Sequence, residues 1–293
     1  MNFEATKDFL RFHDLPAEIV SDILDRAGAL AAAWNERRMP QVLAGKRVAL
    51  VVDDGGWRNT TAFDLGIQAM GGMCVHAPLS LTGREAIADL AGYLDNWFDF
   101  IVVRTRELSA LDELAAYARA PVINARTCSN HPCETLGDIA YVRQKRGGIE
   151  GLKVVCVAPD ANILRSWAEA SLSLPIEVIQ VYPETWHVRD PALLNPKFRA
   201  SSSMDELEDA DVVITDSWPA GAVEEVEPFR ISAAVLDRCK PDLIFIPCPP
   251  VARGQEVTAD AMTHSSCQSR EAKAFLLHAQ NALMEWVGQE SFA

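Results

Sequence analysis

The stretch PVINARTCSNHPCETLGD, residues 121–138, decides the fold because it joins a short apolar strand to a helix. Its pattern predicts a strand over residues 121–123, a polar loop over 124–130 and a helix with Pro132 near its first turn. Proline is well tolerated there, since the first-turn N–H has no partner within the helix. His131 then lies at a strand-to-helix corner, where backbone N–H groups and the helix dipole favour an anion. A purely capping role for His131 is the alternative.

On both sides of this stretch, apolar β-branched runs alternate with segments of helical length. The predicted strands are 46–53, 73–76, 98–104, 152–158, 176–182, 211–215 and 243–246. The predicted helices of the first half are 15–38, 62–70, 84–94 and 110–119, and the last helix covers 270–287. Residues 54–61, between the first strand and the second helix, are predicted to form a loop. This alternation predicts an α/β fold with doubly wound parallel sheets.

The length of 293 residues is sufficient for two such domains. We place the boundary inside the helix that begins near Glu134, because residues 146–151, RGGIEG, resemble the start of a new sheet. The expected domains are therefore residues 1–136 and 137–269, followed by a last helix from 270 to 293.

Composition narrows the classes of partner. A net charge of −14 argues against nucleic acid, so a site for a phosphorylated substrate must be a small basic region. The sequence contains no uncharged apolar run of about 18 residues, the length that a membrane span requires, so we predict no membrane span. The N-terminus lacks the features of a signal peptide, and the seven irregularly spaced cysteines indicate reduced thiols in the cytoplasm. No CxxC pair or His/Cys cluster indicates zinc, so we expect neither a metal nor a cofactor.

Three basic residues follow strands at the edge where such sheets bind ligands. Arg58 follows the first strand, Arg104 ends the third and His131 follows the fourth. Arginine forks bind phosphate oxygens, and an imidazole can donate a hydrogen bond to an oxygen that gains charge. A single arginine is more often an ordinary surface residue. Three basic groups at strand ends favour a site for a phosphate beside a carbonyl group.

The first half of the chain resembles the aspartate/ornithine carbamoyltransferase family. The tetrapeptide from His131 to Glu134, His-Pro-Cys-Glu, is similar to the family's His-Pro-Cys-Gln. Residues 56–60, Gly-Trp-Arg-Asn-Thr, stand where the family has the phosphate loop Ser-Thr-Arg-Thr-Arg, and Arg58 matches its central arginine. Arg104 matches the family's strand-end arginine, and the resemblance implies that His131 binds the carbamoyl oxygen.

The second half resembles ornithine carbamoyltransferases, with departures. Asn162 and Asp216 match residues that contact the amino-acid substrate there. Residues 219–221, Pro-Ala-Gly, replace the family's Ser-Met-Gly. Cys248 is retained in a Pro-Cys-Pro-Pro segment that replaces His-Cys-Leu-Pro, with Pro249 in place of leucine, and Arg270 fits the arginine before the last helix.

The resemblance implies a homotrimer that transfers a carbamoyl group from carbamoyl phosphate to the amine of a small acceptor, and a last helix that packs on the first domain. The residues assigned to catalysis are Arg58, Arg104, His131, Cys248 and Arg270. The residues assigned to substrate binding are Gly56, Trp57, Asn59, Thr60, Glu134, Asn162, Asp216 and Pro249.

Several alternatives stay open at this point. Glu134 is either an acceptor for the carbamoyl NH2 or a first-turn residue favoured by the helix dipole. Arg84 either reaches a neighbouring subunit's site or is solvated. The chain is either an enzyme with an altered acceptor pocket or a homologue that has lost catalysis and binds a ligand or scaffolds a partner. A nucleotide-dependent Rossmann enzyme is disfavoured because no GxGxxG follows either first strand.

Overall fold

Two parallel sheets organise the computed structural model, which describes residues 8–53 and 55–290. Of these residues, 8–144 and 273–290 form one compact unit, the N unit, and 145–272 form a second, the C unit. The units separate near the C-terminal end of helix α5 (Pro132–Arg146), the helix in which we placed the boundary. The prediction of two doubly wound parallel-sheet domains is confirmed.

The N-unit sheet has the strand order β2-β1-β3-β4. Its strands are β1 (Arg47–Val52), β2 (Met73–Ala77), β3 (Phe100–Arg104) and β4 (Val122–Arg126). Residues 48–51 of β1 and all of β3 are buried, as expected for continuous apolar runs covered on both faces. Strand β2 lies at the sheet edge and is largely exposed.

Helices cover this sheet through apolar faces at helical spacing. They are α1 (Ala17–Asn35), α2 (Trp57–Ala69), α3 (Ile87–Trp97), α4 (Leu108–Tyr117), α5, and α9 (Ser269–Glu290) from Lys273 onward. Leu276 and Leu283 of α9 are buried, and the Phe275 ring contacts Tyr141 of α5 with centroids 5.6 Å apart. A Cβ atom on Gly137 of α5 would lie 2.9 Å from the Leu276 Cα, so a glycine permits this close approach.

The C-unit sheet has the order β7-β6-β5-β8-β9. Its strands are β5 (Lys153–Val157), β6 (Glu177–Val181), β7 (Phe198–Ser201), β8 (Val212–Thr215) and β9 (Ile244–Pro247). Its α-helices are α6 (Asn162–Ser173), α7 (Val223–Val226) and α8 (Ala233–Leu236). We did not predict β7, because this four-residue edge strand has only one buried residue and no β-branched run. None of the helices among the described residues has the length and apolar character needed to cross a membrane.

Two local predictions near the candidate site are wrong. Strand β4 continues to Arg126 instead of ending at residue 123, because the Asn124 side chain is buried and donates to the Leu10 carbonyl at 2.8 Å. Helix α2 begins at Trp57, so most of the predicted loop 54–61 is helical. Asp54 of that loop lies outside the described residues.

Candidate active site

Arg104 is held at the end of β3 by the loop before α2. The residue is 8% exposed, and its Nε donates to the Gly55 carbonyl oxygen at 2.6 Å. A Cβ atom on Gly56 would overlap the Arg104 guanidinium group. Glycine at position 56, where the family has serine, therefore gives Arg104 the space to pack against this loop.

The first turn of α2 presents one cation to solvent. Trp57 is 67% exposed, and the Arg58 guanidinium carbon lies 5.0 Å from the centroid of its ring. Asn59 is 3% exposed, and neither polar atom of its side chain has a hydrogen-bond partner among the described residues. The Thr60 hydroxyl lies 3.3 Å from the Gly56 carbonyl oxygen as a donor. The side chains of Asn59 and Thr60 are thus directed at the protein, and the backbone amides of the first turn remain as anion donors.

His131 lies between β4 and α5 and is buried. Burial lowers the pKa of His131 to about 4, the Glu134 carboxylate opposes this change, and the charges of Arg104 and Lys273 lower the pKa further. The imidazole is therefore neutral near pH 7. A neutral imidazole still carries one ring N–H group, which can donate a hydrogen bond to a developing oxyanion.

Glu134 belongs to a buried ionic network within the N unit. Its Oε1 lies 2.8 Å from the Lys273 Nζ, and its Oε2 lies 3.8 Å from the His131 Nε2. The Lys273 Nζ also lies 2.7 Å from the Asp138 Oδ1. Burial raises the pKa of Asp138 to about 6 despite Lys273. Burial also opposes ionisation of Glu134, but the charges of Lys273, His131 and Arg104 and the hydrogen bond from Lys273 bring its pKa below the ordinary value.

This network reduces the physical objection to a carboxylate at position 134. A negative charge where the family has glutamine would weaken phosphate binding, and the ion pair with Lys273, which Asp138 shares, offsets part of that charge. Our sequence analysis missed both Lys273 and Asp138. The available signal was the spacing of Glu134 and Asp138, four residues apart on one helix, which places two like charges on one face and requires a cation.

A cavity of about 410 Å³ connects two parts of the predicted site. Among its lining residues are Trp57 and Arg58 of α2, Glu134 of α5 and Lys273 of α9. The structure therefore groups Arg104 with Gly56, groups His131 with Glu134, and places Arg58 and Glu134 around one cavity.

In the C unit, the predicted residues follow adjacent strands. Asn162 is the first residue of α6 after β5, Asp216 follows β8 and Cys248 follows β9. The Cys248 N–H donates to the Thr215 carbonyl at 3.1 Å, and one Asp216 oxygen accepts the Ser217 N–H at 2.7 Å. Pro249 is half-buried, and Arg270 is exposed at the start of α9. Of the five residues predicted in the C unit, Asn162, Asp216 and Cys248 thus lie at the carboxyl ends of adjacent strands.

Sequence analysis missed two further polar groups in the C unit. The Tyr182 hydroxyl and the Glu256 Oε2 are buried without a hydrogen-bond partner among the described residues. Burial raises the pKa of Tyr182, and the charges of Asp216, Glu256 and Glu225 raise it further. Burial also raises the pKa of Glu256. The position of Tyr182 at a predicted strand end was a signal that we did not use.

Comparisons with known proteins agree with the resemblance inferred from the motifs. Residues 7–144 match the carbamoyl-phosphate-binding domain of the aspartate/ornithine carbamoyltransferases, and residues 150–287 match their Asp/Orn-binding domain. The chain is 30% identical over 307 residues to the ornithine carbamoyltransferase of Bradyrhizobium diazoefficiens, covering 97% of each chain. It is 31% identical to that of Thermococcus kodakarensis, covering 97% of this chain and 96% of its relative.

Solved structures give the same result. The ornithine carbamoyltransferase from Pyrococcus furiosus superposes with a TM-score of 0.91 at 28% identity, covering 96% of each chain. That of Burkholderia thailandensis gives a TM-score of 0.90 at 27% identity, covering 96% of this chain and 98% of the other. The family prediction and the fold prediction are both confirmed.

Proposed function

The chain belongs to the aspartate/ornithine carbamoyltransferase family, and from this premise we propose that it transfers the carbamoyl group of carbamoyl phosphate to a small cationic amine, releasing phosphate. The observation that carries the proposal is the buried pair of Arg104 and His131 in the N unit, at the ends of adjacent strands β3 and β4. A guanidinium group and a neutral imidazole match a phosphate beside a carbonyl oxygen.

In the proposed reaction, Arg58, Arg104 and the backbone amides of the first turn of α2 hold the phosphate. His131 donates a hydrogen bond to the carbamoyl oxygen as the carbonyl carbon becomes tetrahedral. The reacting amine is neutral, its ammonium form having lost a proton to solvent, because an ammonium nitrogen has no lone pair. The lone pair of this nitrogen forms a bond to the carbamoyl carbon, and the bond from that carbon to the phosphate oxygen breaks. The departing phosphate accepts the amine proton, so the reaction needs no protein base.

Asp216 and Asn162 would position the acceptor. The Asp216 carboxylate attracts an ammonium group, and its charge acts together with those of Glu225 and Glu256 on the buried Tyr182 hydroxyl. The segment 219–221, Pro-Ala-Gly, has no side-chain hydroxyl for an α-amino-acid head. These features support a diamine or an acylated ornithine over L-ornithine.

The direct test is an assay with carbamoyl phosphate and a panel of amines, measuring phosphate release and ureido product. The panel contains L-ornithine, N-acetylornithine, putrescine, aspartate and small amides. We expect ureido product from at least one cationic amine and an equal amount of phosphate. Binding of carbamoyl phosphate without turnover of any amine would instead support the alternative, a homologue that binds a ligand or scaffolds a partner.

The assembly and the cellular location remain predictions. The homotrimer implied by the family resemblance is testable by light scattering coupled to size-exclusion chromatography. The expected mass is about three times the chain mass of 32.1 kDa. Cytoplasmic location is testable by fractionation.

A further inference from the structure

Three side chains of metal-ligand type converge on the N unit outside the proposed active site. Asp64 belongs to α2, and Cys74 and His76 belong to the edge strand β2. Because Cys74 and His76 are two residues apart on a strand, both project from the same face of the sheet. Helix α2 packs on this strand, so Asp64 meets both side chains there.

The geometry is close to that of a coordination site. The Asp64 carboxylate, the Cys74 sulfur and a His76 ring nitrogen all lie within 4.8 Å of one another. The His76 Nε2 is 3.3 Å from the Asp64 Oδ2. Gln68 donates to the other oxygen, Oδ1, at 2.6 Å, which fixes the orientation of the carboxylate. A hydrogen bond of this kind behind a ligand commonly orients metal sites.

We propose that Asp64, Cys74 and His76 bind a single Zn²⁺ ion. Sulfur, imidazole nitrogen and carboxylate oxygen are the three donors that Zn²⁺ prefers, whereas Mg²⁺ and Ca²⁺ prefer oxygen alone. Tetrahedral Zn²⁺ holds its ligand atoms about 3.3–3.8 Å apart, so small side-chain rotations close the site. A Zn–S bond replaces the thiol S–H bond, and the proton passes to solvent. Water completes the coordination, since the His76 side chain is 59% exposed.

Such an ion would link helix α2 to strand β2, since Asp64 belongs to the helix and Cys74 and His76 belong to the strand. The first turn of this helix carries Arg58, so the site would fix the element that we assign to phosphate binding. The inference stands independently of carbamoyl transfer, because it concerns different residues and a different ligand.

The test is isothermal titration of the untagged, metal-free full chain with zinc chloride. We expect one equivalent of Zn²⁺, a raised melting temperature on binding, and affinity at least tenfold weaker in Cys74→Ser, His76→Asn and Asp64→Asn. Cobalt(II) should produce a thiolate-to-metal charge-transfer band that Cys74→Ser removes.

Two variants serve as matched controls. Cys128→Ser removes an exposed thiol elsewhere. His264→Asn removes a histidine that lies 3.2 Å from Asp237 and that belongs to no group of three metal-ligand side chains among the described residues. Both should bind Zn²⁺ as the wild type does. The proposal is overturned if wild type takes up no stoichiometric Zn²⁺, or if binding and the cobalt band persist in folded Cys74→Ser, folding being checked by circular dichroism.

Discussion

The candidate sites of the N unit and the C unit differ in how their charges are held. In the N unit, Arg104, His131, Glu134 and Lys273 are largely withdrawn from solvent. Lys273 forms an ion pair with Glu134, and Arg104 donates to the Gly55 carbonyl oxygen. In the C unit, residues 217–225, which follow Asp216, are mostly exposed. We propose from this difference that the carbamoyl phosphate site of the N unit is preformed and that the acceptor site of the C unit is adaptable.

The largest expected effect tests the N-unit network. Lys273→Met leaves two buried carboxylates without their cation, which should lower the free energy of unfolding by about 3–5 kcal/mol. Urea denaturation at pH 7 measures this loss. The control is Lys240→Met, which breaks a more exposed pair with Asp211 in the C unit and should cost about 0–1 kcal/mol. Equal losses in both variants would show that the N-unit network is not special.

The next effect concerns the electrophile. Arg104→Ala should weaken carbamoyl phosphate binding about 100-fold, since loss of a charged hydrogen bond costs about 1.5–3 kcal/mol. Isothermal titration measures the dissociation constant. Arg119→Ala, which removes a largely exposed arginine, should bind as the wild type does. An unchanged constant in Arg104→Ala would refute the N-unit assignment.

A third, smaller effect tests the C unit. We expect kcat/KM for L-ornithine to be about 10–100-fold below that of the best cationic amine, because each unpaired group of the amino-acid head costs about 1–3 kcal/mol. Steady-state kinetics at saturating carbamoyl phosphate measure both values. L-Ornithine as the best acceptor, at about 10⁴ M⁻¹s⁻¹ or higher, would contradict an altered pocket.

The smallest effect is a pH dependence of stability. The pKa of Asp138 is raised from 3.8 to about 6, so the folded state binds more protons than the unfolded state between these values. This contribution is present below pH 4 and is lost as the pH rises through 6. From pH 4 to 6, wild type should therefore lose on the order of 1–2 kcal/mol relative to Asp138→Asn. Urea denaturation at several pH values measures the free energy of unfolding of both proteins. If this free energy changes equally in the two proteins from pH 4 to 6, the shifted pKa of Asp138 is contradicted.

Sequence patterns were sufficient for the sheets and for much of the candidate site. Buried parallel strands are continuous apolar runs, so β1, β3, β5 and β8 were visible without tertiary information. The edge strand β7 was not visible, because a strand with only one buried residue has no continuous apolar run. The start of α2 was also missed, because Gly55 and Gly56 suggested a longer loop, whereas Gly56 ends the loop and gives Arg104 space.

The sequence by itself determined the fold class, the family and the residues that follow each strand, since these depend on local periodicity and on motifs within a few positions. Only the tertiary structure decided which charges meet. Lys273 lies 135 residues from Asp138 in the chain yet forms a 2.7 Å ion pair with it, and Asp64 meets Cys74 and His76 only because α2 packs on β2. The charge state of a buried group depends on neighbours brought together by packing, and their separation in sequence carries no information about that distance.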